Sequence, residues 1–127
     1  MEKDLGNYRK SYEKGSLLEQ SINKDPFDLF QLWFNEVDSH FQEIETNAMT
    51  LSTIGSDGFP KSRVVLLKKF NSAGFVFYTN YESEKAKALA NTPQCCLSFH
   101  WEAAERQVII KGVANKVDPL QSDAYFL

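Results

Sequence analysis

Cysteine is scarce in this chain. There are two in 127 residues, Cys95 and Cys96, and they are adjacent. Neighbours in a strand point to opposite faces, so a bridge between them is strained. That excludes a disulfide framework. The pair reads as small core or interface residues in a reducing compartment, in preference to a redox or metal role. The cytoplasm is the expected location, and no metal site is expected. Long apolar runs are missing as well: none approaches the roughly 20 residues that a membrane helix needs. The first residues, MEKDLGNYRK, are charged and lack the apolar stretch of a secretory signal. An excess of positive charge is also absent. The net charge of −3 argues against a nucleic-acid partner, which usually demands a basic footprint.

The remaining composition is that of one globular domain, large enough to bury a core. Ten phenylalanines are generous for this length and suit a β-rich core or a large subunit interface. Residues 1–24 are polar with little periodicity and read as a flexible N-terminal segment, leaving 25–127 as the folded domain. Within the segment, Arg9-Lys10-Ser11-Tyr12 offers side chains able to grip an anion.

Asp25-Pro26 opens a helix, with Asp25 as cap and Pro26 at the first helical position. Phe27, Phe30, Phe34, Val37 and Phe41 follow at helical spacing, and the pattern predicts an end near Glu45. His40, beside this stripe, is given no role. Ala48–Ile54 alternates as a strand, with Met49, Leu51 and Thr53 on one face. Gly55-Ser56-Asp57-Gly58 is a turn, and Pro60 suits the first residue of the strand that follows.

The stretch from Lys61 to Asn80 carries the most information. Two apolar runs, Val64–Leu67 and Phe75–Tyr78, flank Asn71-Ser72-Ala73-Gly74 and predict a hairpin. Arg63 precedes the first run, and Lys68 and Lys69 follow it. Strict alternation puts Arg63 and Lys68 on opposite faces, so one shared site would require a bulge, a strong twist or a subunit boundary. For an isolated strand, solvated edge charges are the preferred reading. Ser83 to Asn91 reads as a short helix capped by Ser83. Lys85 in its first turn opposes the macrodipole unless an anion binds there, and otherwise is simply solvated. Glu84 suits the dipole but not a phosphate. Gln94–Trp101 and Arg106–Val117 are strands separated by a turn at Glu102–Glu105. Gly112 suggests a bulge or close backbone approach in the second. Asp118-Pro119 repeats the helix-start signal, so the chain is expected to stop mid-helix on Ala-Tyr-Phe-Leu and to look incomplete. The order fits a mainly β protein, an antiparallel barrel with peripheral helices.

Several of these segments resemble, in order along the chain, the pyridoxine/pyridoxamine 5′-phosphate oxidases. They are Arg9-Lys10-Ser11-Tyr12, Asp25-Pro26-Phe27, Arg63-Val64-Val65-Leu66-Leu67-Lys68, Phe77-Tyr78-Thr79-Asn80, Ser83-x-Lys85-Ala86, Glu105-Arg106-Gln107-Val108 and Tyr125-Phe126. The resemblance implies a split β-barrel homodimer with FMN at the subunit interface, oxidising pyridoxine or pyridoxamine 5′-phosphate to pyridoxal 5′-phosphate with O2, a step of vitamin B6 metabolism. It implies that Arg63, Val64, Val65, Leu66, Leu67 and Lys68 line FMN, with Arg63 and Lys85 on its phosphate and Tyr78, Thr79 and Gln107 on the flavin. It further implies that Lys68 and Tyr125 hold the substrate phosphate, while Arg9, Lys10, Ser11 and Tyr12 close over the substrate. No residue is assigned a catalytic role, since the cofactor carries the chemistry. Two departures stand out. The family usually has arginine at the position of Glu84, and its members are longer, with further substrate and flavin contacts downstream. The alternatives are a flavin-binding split barrel without oxidase turnover and an inactive fragment of the oxidase.

Overall fold

The computed structural model describes residues 3, 25–78, 83–116 and 124–126. Helix α1 spans Pro26–His40. It is followed by strands β1 (Ala48–Ile54), β2 (Pro60–Asn71) and β3 (Gly74–Tyr78), and by helix α2 (Glu84–Asn91). Strand β4 is Gln94–Trp101, and a 3-10 turn at Glu102–Ala104 leads to β5 (Arg106–Val113). Two short strands, β6 (Asn115–Lys116) and β7 (Ala124–Phe126), complete the set.

All pairings are antiparallel, in the order β5-β4-β1-β2-β3-β7-β6. Strands β5 and β6 stand at opposite ends of this order, yet Ala114 alone separates them in the chain. The sheet must therefore curl until its two ends meet, which makes it a barrel. Ala114 is buried, and its N–H donates to the Pro93 carbonyl at 2.9 Å, tying the step to the entrance of β4.

The core follows from alternation. Met49, Leu51 and Thr53 of β1 and Cys95, Leu97, Phe99 and Trp101 of β4 point inward and are buried. Helix α1 covers one end of the barrel with Phe30, whose ring lies 5.0–5.9 Å from those of Phe70, Phe75, Phe99 and Trp101. Edge-on and tilted arrangements of this kind suit the ring quadrupole. Arg106 fastens the same helix to β5: it donates to Glu36 at 2.6 Å and lies 4.9 Å above the Trp33 ring. The Trp101 indole N–H donates to the Thr46 carbonyl at 3.0 Å, holding the approach to β1.

The predicted strand Ala48–Ile54, strand Gln94–Trp101 and the Ser83 cap are as expected. In the Gly55–Gly58 turn, Gly58 takes φ +84°, which favours glycine. Three expectations change. Helix α1 ends at His40 instead of near Glu45, since Phe41 leaves helical geometry at φ −129°, ψ 69°. Phe41 and Ile44 still pack on the core, so their apolar spacing outlasts the helix. Gly112 interrupts nothing: it pairs in register with Cys95, and the break falls at Ala114. Residues 124–126 are a strand, not the continuation of a helix. They fill the gap between β3 and β6, where backbone groups need partners that a helix does not supply. The Asp118-Pro119 signal itself lies outside the described residues, as does most of the 1–24 segment.

Candidate functional site

Strand β2 is the centre of the site. Its face alternates up to Leu67, with Val65 and Leu67 buried and Val64 70% exposed. The register against β3 then shifts between Leu67 and Lys69, a bulge that takes in Lys68. The parity of the strand changes there: Leu67 and Phe70, an odd number of residues apart, both reach the core. A bulge is the local irregularity that one shared site for Arg63 and Lys68 would require, but their separation along the strand keeps them apart all the same. Asn47 holds the bulge from β1's side. The Leu67 N–H donates to the Asn47 carbonyl at 2.8 Å, and Asn47 Nδ2 donates to the Leu67 carbonyl at 3.0 Å. Lys68 and Lys69 are exposed and line a cavity of about 460 Å³ together with Phe34, Asp38, Asn47 and Phe70.

Arg63 lies at the other end of the strand. Five residues at about 3.3 Å each put it roughly 16 Å from Lys68 along the chain, too far for both to grip one phosphate. Arg63 is half-buried and donates through Nη1 to the buried Thr53 hydroxyl at 2.6 Å and to the Lys61 carbonyl at 3.4 Å. A guanidinium has further N–H donors beyond that nitrogen.

Helix α2 approaches the same end. Its cap, Ser83, accepts from the Ala86 N–H at 3.2 Å. Buried Ala86 and Leu89 face inward, and the helix packs against β1. Lys85 is half-buried in the first turn. Glu84 is hydrogen-bonded to Lys61, which also has Asp57 at 4.0 Å. The Lys61 hydrogen bond holds the Glu84 carboxyl below the usual carboxylate range, and the same bond raises the Lys61 ammonium. The glutamate's negative charge is therefore already partnered.

The structure brings together Arg63 and the start of α2, and it separates them from Lys68. Gln107 is exposed on β5, paired with His100, on the outer face of the sheet. Leu66 of β2, which pairs with Ala48 of β1, lies three strand spacings or about 14 Å from β5 across the sheet. Tyr78 ends β3, 43% exposed. Tyr125 pairs with Phe77 and Lys116, which carries its backbone to β3's edge. Thr79 and the Arg9, Lys10, Ser11, Tyr12 segment lie outside the described residues. Sequence reasoning passed over Lys61, Thr53 and Asn47. Lys61 and Arg63 share a strand face at a spacing of two, a signal that was readable. The Thr53 and Asn47 contacts depend on strand register, which was not.

The outer face of the sheet exposes apolar side chains in places. Ile109, Ser98, Thr50 and Val64 form one lateral row, with Ile109 59% exposed. No helix among the described residues is long and apolar enough to cross a membrane.

Topology and geometry define a split β-barrel with two chemically distinct cationic stations on one strand. A solved structure of PhzG from Burkholderia lata, in complex with tetrahydrophenazine-1-carboxylic acid, superposes with a TM-score of 0.73 at 25% identity, covering 83% of this chain and 52% of that one. Residues 37–127 match the family described as pyridoxamine 5′-phosphate oxidase, and the chain belongs to that family. It is 63% identical over 123 residues to the pyridoxine/pyridoxamine 5′-phosphate oxidase of Flavobacterium johnsoniae, covering 97% of this chain and 58% of that protein. The enzyme of the same name from Flavobacterium psychrophilum is 60% identical over 124 residues, covering 98% and 58%. The chain thus spans a little over half the length of these relatives.

Proposed function

We infer that the chain provides the FMN-binding part of a cytoplasmic pyridoxine/pyridoxamine 5′-phosphate oxidase, with 25–127 as its split-barrel unit. The observation that carries this is the pair of cationic stations on β2: Arg63 beside the capped start of α2, and Lys68 on the bulge. The donor set suits a phosphorylated flavin. Arg63 has guanidinium edges beyond its bond to Thr53, and helix N–H groups and Lys85 stand at the same end. Val64 and Leu66 turn apolar side chains outward, a surface on which a planar ring can rest.

In this reading Arg63 and Lys85 bind the FMN phosphate, and Val64, Val65, Leu66, Leu67 and Lys68 border the cofactor through backbone and side chain. Tyr78, Thr79 and Gln107 contact the flavin. Bound there, FMN would supply the redox chemistry, oxidation at the substrate's 4′ carbon with O2 as the final electron acceptor. Lys68 and Tyr125 orient the substrate by its phosphate, and Arg9, Lys10, Ser11 and Tyr12 exclude water above it. The distance between Leu66 and Gln107 within one chain, together with the exposed Val64 and Ile109, supports a homodimer that brings Gln107 of a second copy to the flavin.

The test is reconstitution. Apo-protein mixed with FMN turns yellow and elutes as a dimer, and pyridoxal 5′-phosphate accumulates when pyridoxamine 5′-phosphate and O2 are added. A colourless monomer that ignores FMN overturns the reading. The alternative reading is flavin binding without turnover. FMN uptake with no product identifies that case.

A further inference from the structure

Lys61 and Glu84 come from distant parts of the chain and meet at the mouth of the Arg63 station. Lys61 lies on β2 two residues before Arg63, so the two side chains leave the same face of the strand. Glu84 opens α2 directly after the Ser83 cap. Lys61 Nζ donates to Glu84 Oε1, and Asp57 Oδ2 lies 4.0 Å from the same ammonium. Arg63 is close enough that its charge also acts on both partners, favouring the Glu84 carboxylate and opposing the Lys61 ammonium. Glu84 thus has two cations around it and is hydrogen-bonded to Lys61. Without Lys61 the remaining cation whose charge acts on the carboxylate is Arg63, whose planar fork matches a carboxylate as well as it matches a phosphate.

We propose that Lys61 is a positioning residue for the anion station: by holding the Glu84 carboxylate it keeps the Arg63 guanidinium open to the phosphate of FMN. The pair also fixes the approach of α2 to β2, since it joins the strand to the first residue of the helix. The proposal rests on the FMN reading above and adds to it a residue that acts through its neighbour, not through the ligand.

The experiment is a two-residue cycle on the 127-residue chain. Dissociation constants are measured by flavin fluorescence for FMN and for riboflavin, which lacks the phosphate, with the starting protein, Lys61→Ala, Glu84→Gln and the double variant. Lys61→Ala weakens FMN about tenfold, the worth of one charge-assisted contact, and leaves riboflavin unchanged. Glu84→Gln binds FMN at least as well as the starting protein. The double variant returns to the level of Glu84→Gln, because Lys61 matters only while there is a carboxylate to hold. Equal FMN losses in Lys61→Ala and the double variant overturn the proposal and make Lys61 a direct phosphate ligand. No loss in Lys61→Ala overturns it too. If the starting protein binds neither flavin, the FMN reading itself fails, and this inference with it. Both substitutions lie on exposed ends of long side chains, and a thermal melt of each variant confirms that the barrel is intact.

Discussion

Asn47 and Leu67 are joined twice, once through each peptide group of Leu67 that the bulge would otherwise leave loose. The Leu67 N–H reaches the Asn47 carbonyl at 2.8 Å, and the Asn47 side-chain amide reaches the Leu67 carbonyl at 3.0 Å. The next residue is Lys68. A side chain outside the strand therefore sets the backbone on which the second cationic station is built. Bulges re-aim side chains, and this one holds its shape through a single amide.

Removing that amide separates the two stations. Asn47→Ala leaves the half-buried Leu67 carbonyl unpaired and lowers stability by about 1–2 kcal/mol in urea denaturation. It raises the KM for the phosphorylated substrate through Lys68 and lowers FMN affinity less, since Arg63, on the cofactor phosphate, lies roughly 16 Å along the strand. Loss of FMN with unchanged KM contradicts the division of β2 into two stations.

Phe30 predicts the stability of the whole barrel. Its ring meets five others, and its residue is 4% exposed. Phe30→Ala costs about 3–5 kcal/mol, a large part of a small domain's stability. Phe59→Ala, at a site 69% exposed, is close to neutral. Denaturant midpoints with unchanged slopes measure both.

These contrasts show what was legible in the sequence. Period-two alternation placed Met49, Leu51 and Thr53 on one face, which proves to be the buried one, and the Ser83 cap located α2 to the residue. Such signals are local, and local chemistry decides them. The end of α1 was misplaced because Phe41 and Ile44 continue the apolar spacing while the backbone has already turned to meet β1. Residues 124–126 were misassigned because their structure depends on an edge supplied by β3, some fifty residues earlier, and no nearby residue reports it. In the site, Arg63 and Lys68 were visible as charges on a strand. Their true relation depended on a bulge held by Asn47, and the partner of Glu84 on a strand-to-helix contact.

Arg63 and Lys68 are expected to fail differently when truncated. Arg63→Ala removes the guanidinium that Thr53 orients at 2.6 Å, and FMN is lost on gel filtration. Lys68→Ala keeps the flavin and raises the substrate KM about tenfold or more, as expected for a charge-assisted contact to phosphate. Absorbance of the eluted protein and steady-state kinetics distinguish the two. The reverse pattern contradicts the assigned roles.

The adjacent cysteines, unremarkable in sequence, are unlike in the fold. Cys95 faces the core and Cys96 the outer side of the sheet, and both are free. Burial, with a smaller contribution from Cys96, pushes the Cys95 thiol from 9.0 up to about 11. The folded state thus keeps this proton where the unfolded chain releases it. Its contribution to stability is complete below the unfolded value of 9.0 and is lost as pH rises through about 11. The stability of the native chain relative to Cys95→Ala therefore falls between those two values and is flat below them. Thiol chemistry gives an independent reading, because the thiolate is the nucleophile. With iodoacetamide near pH 8, Cys96 is alkylated first, and Cys95 reacts only when denaturant is added. Peptide mapping after timed quenching resolves the order, and equal rates at the two positions would show that the inner face of β4 is not closed to solvent.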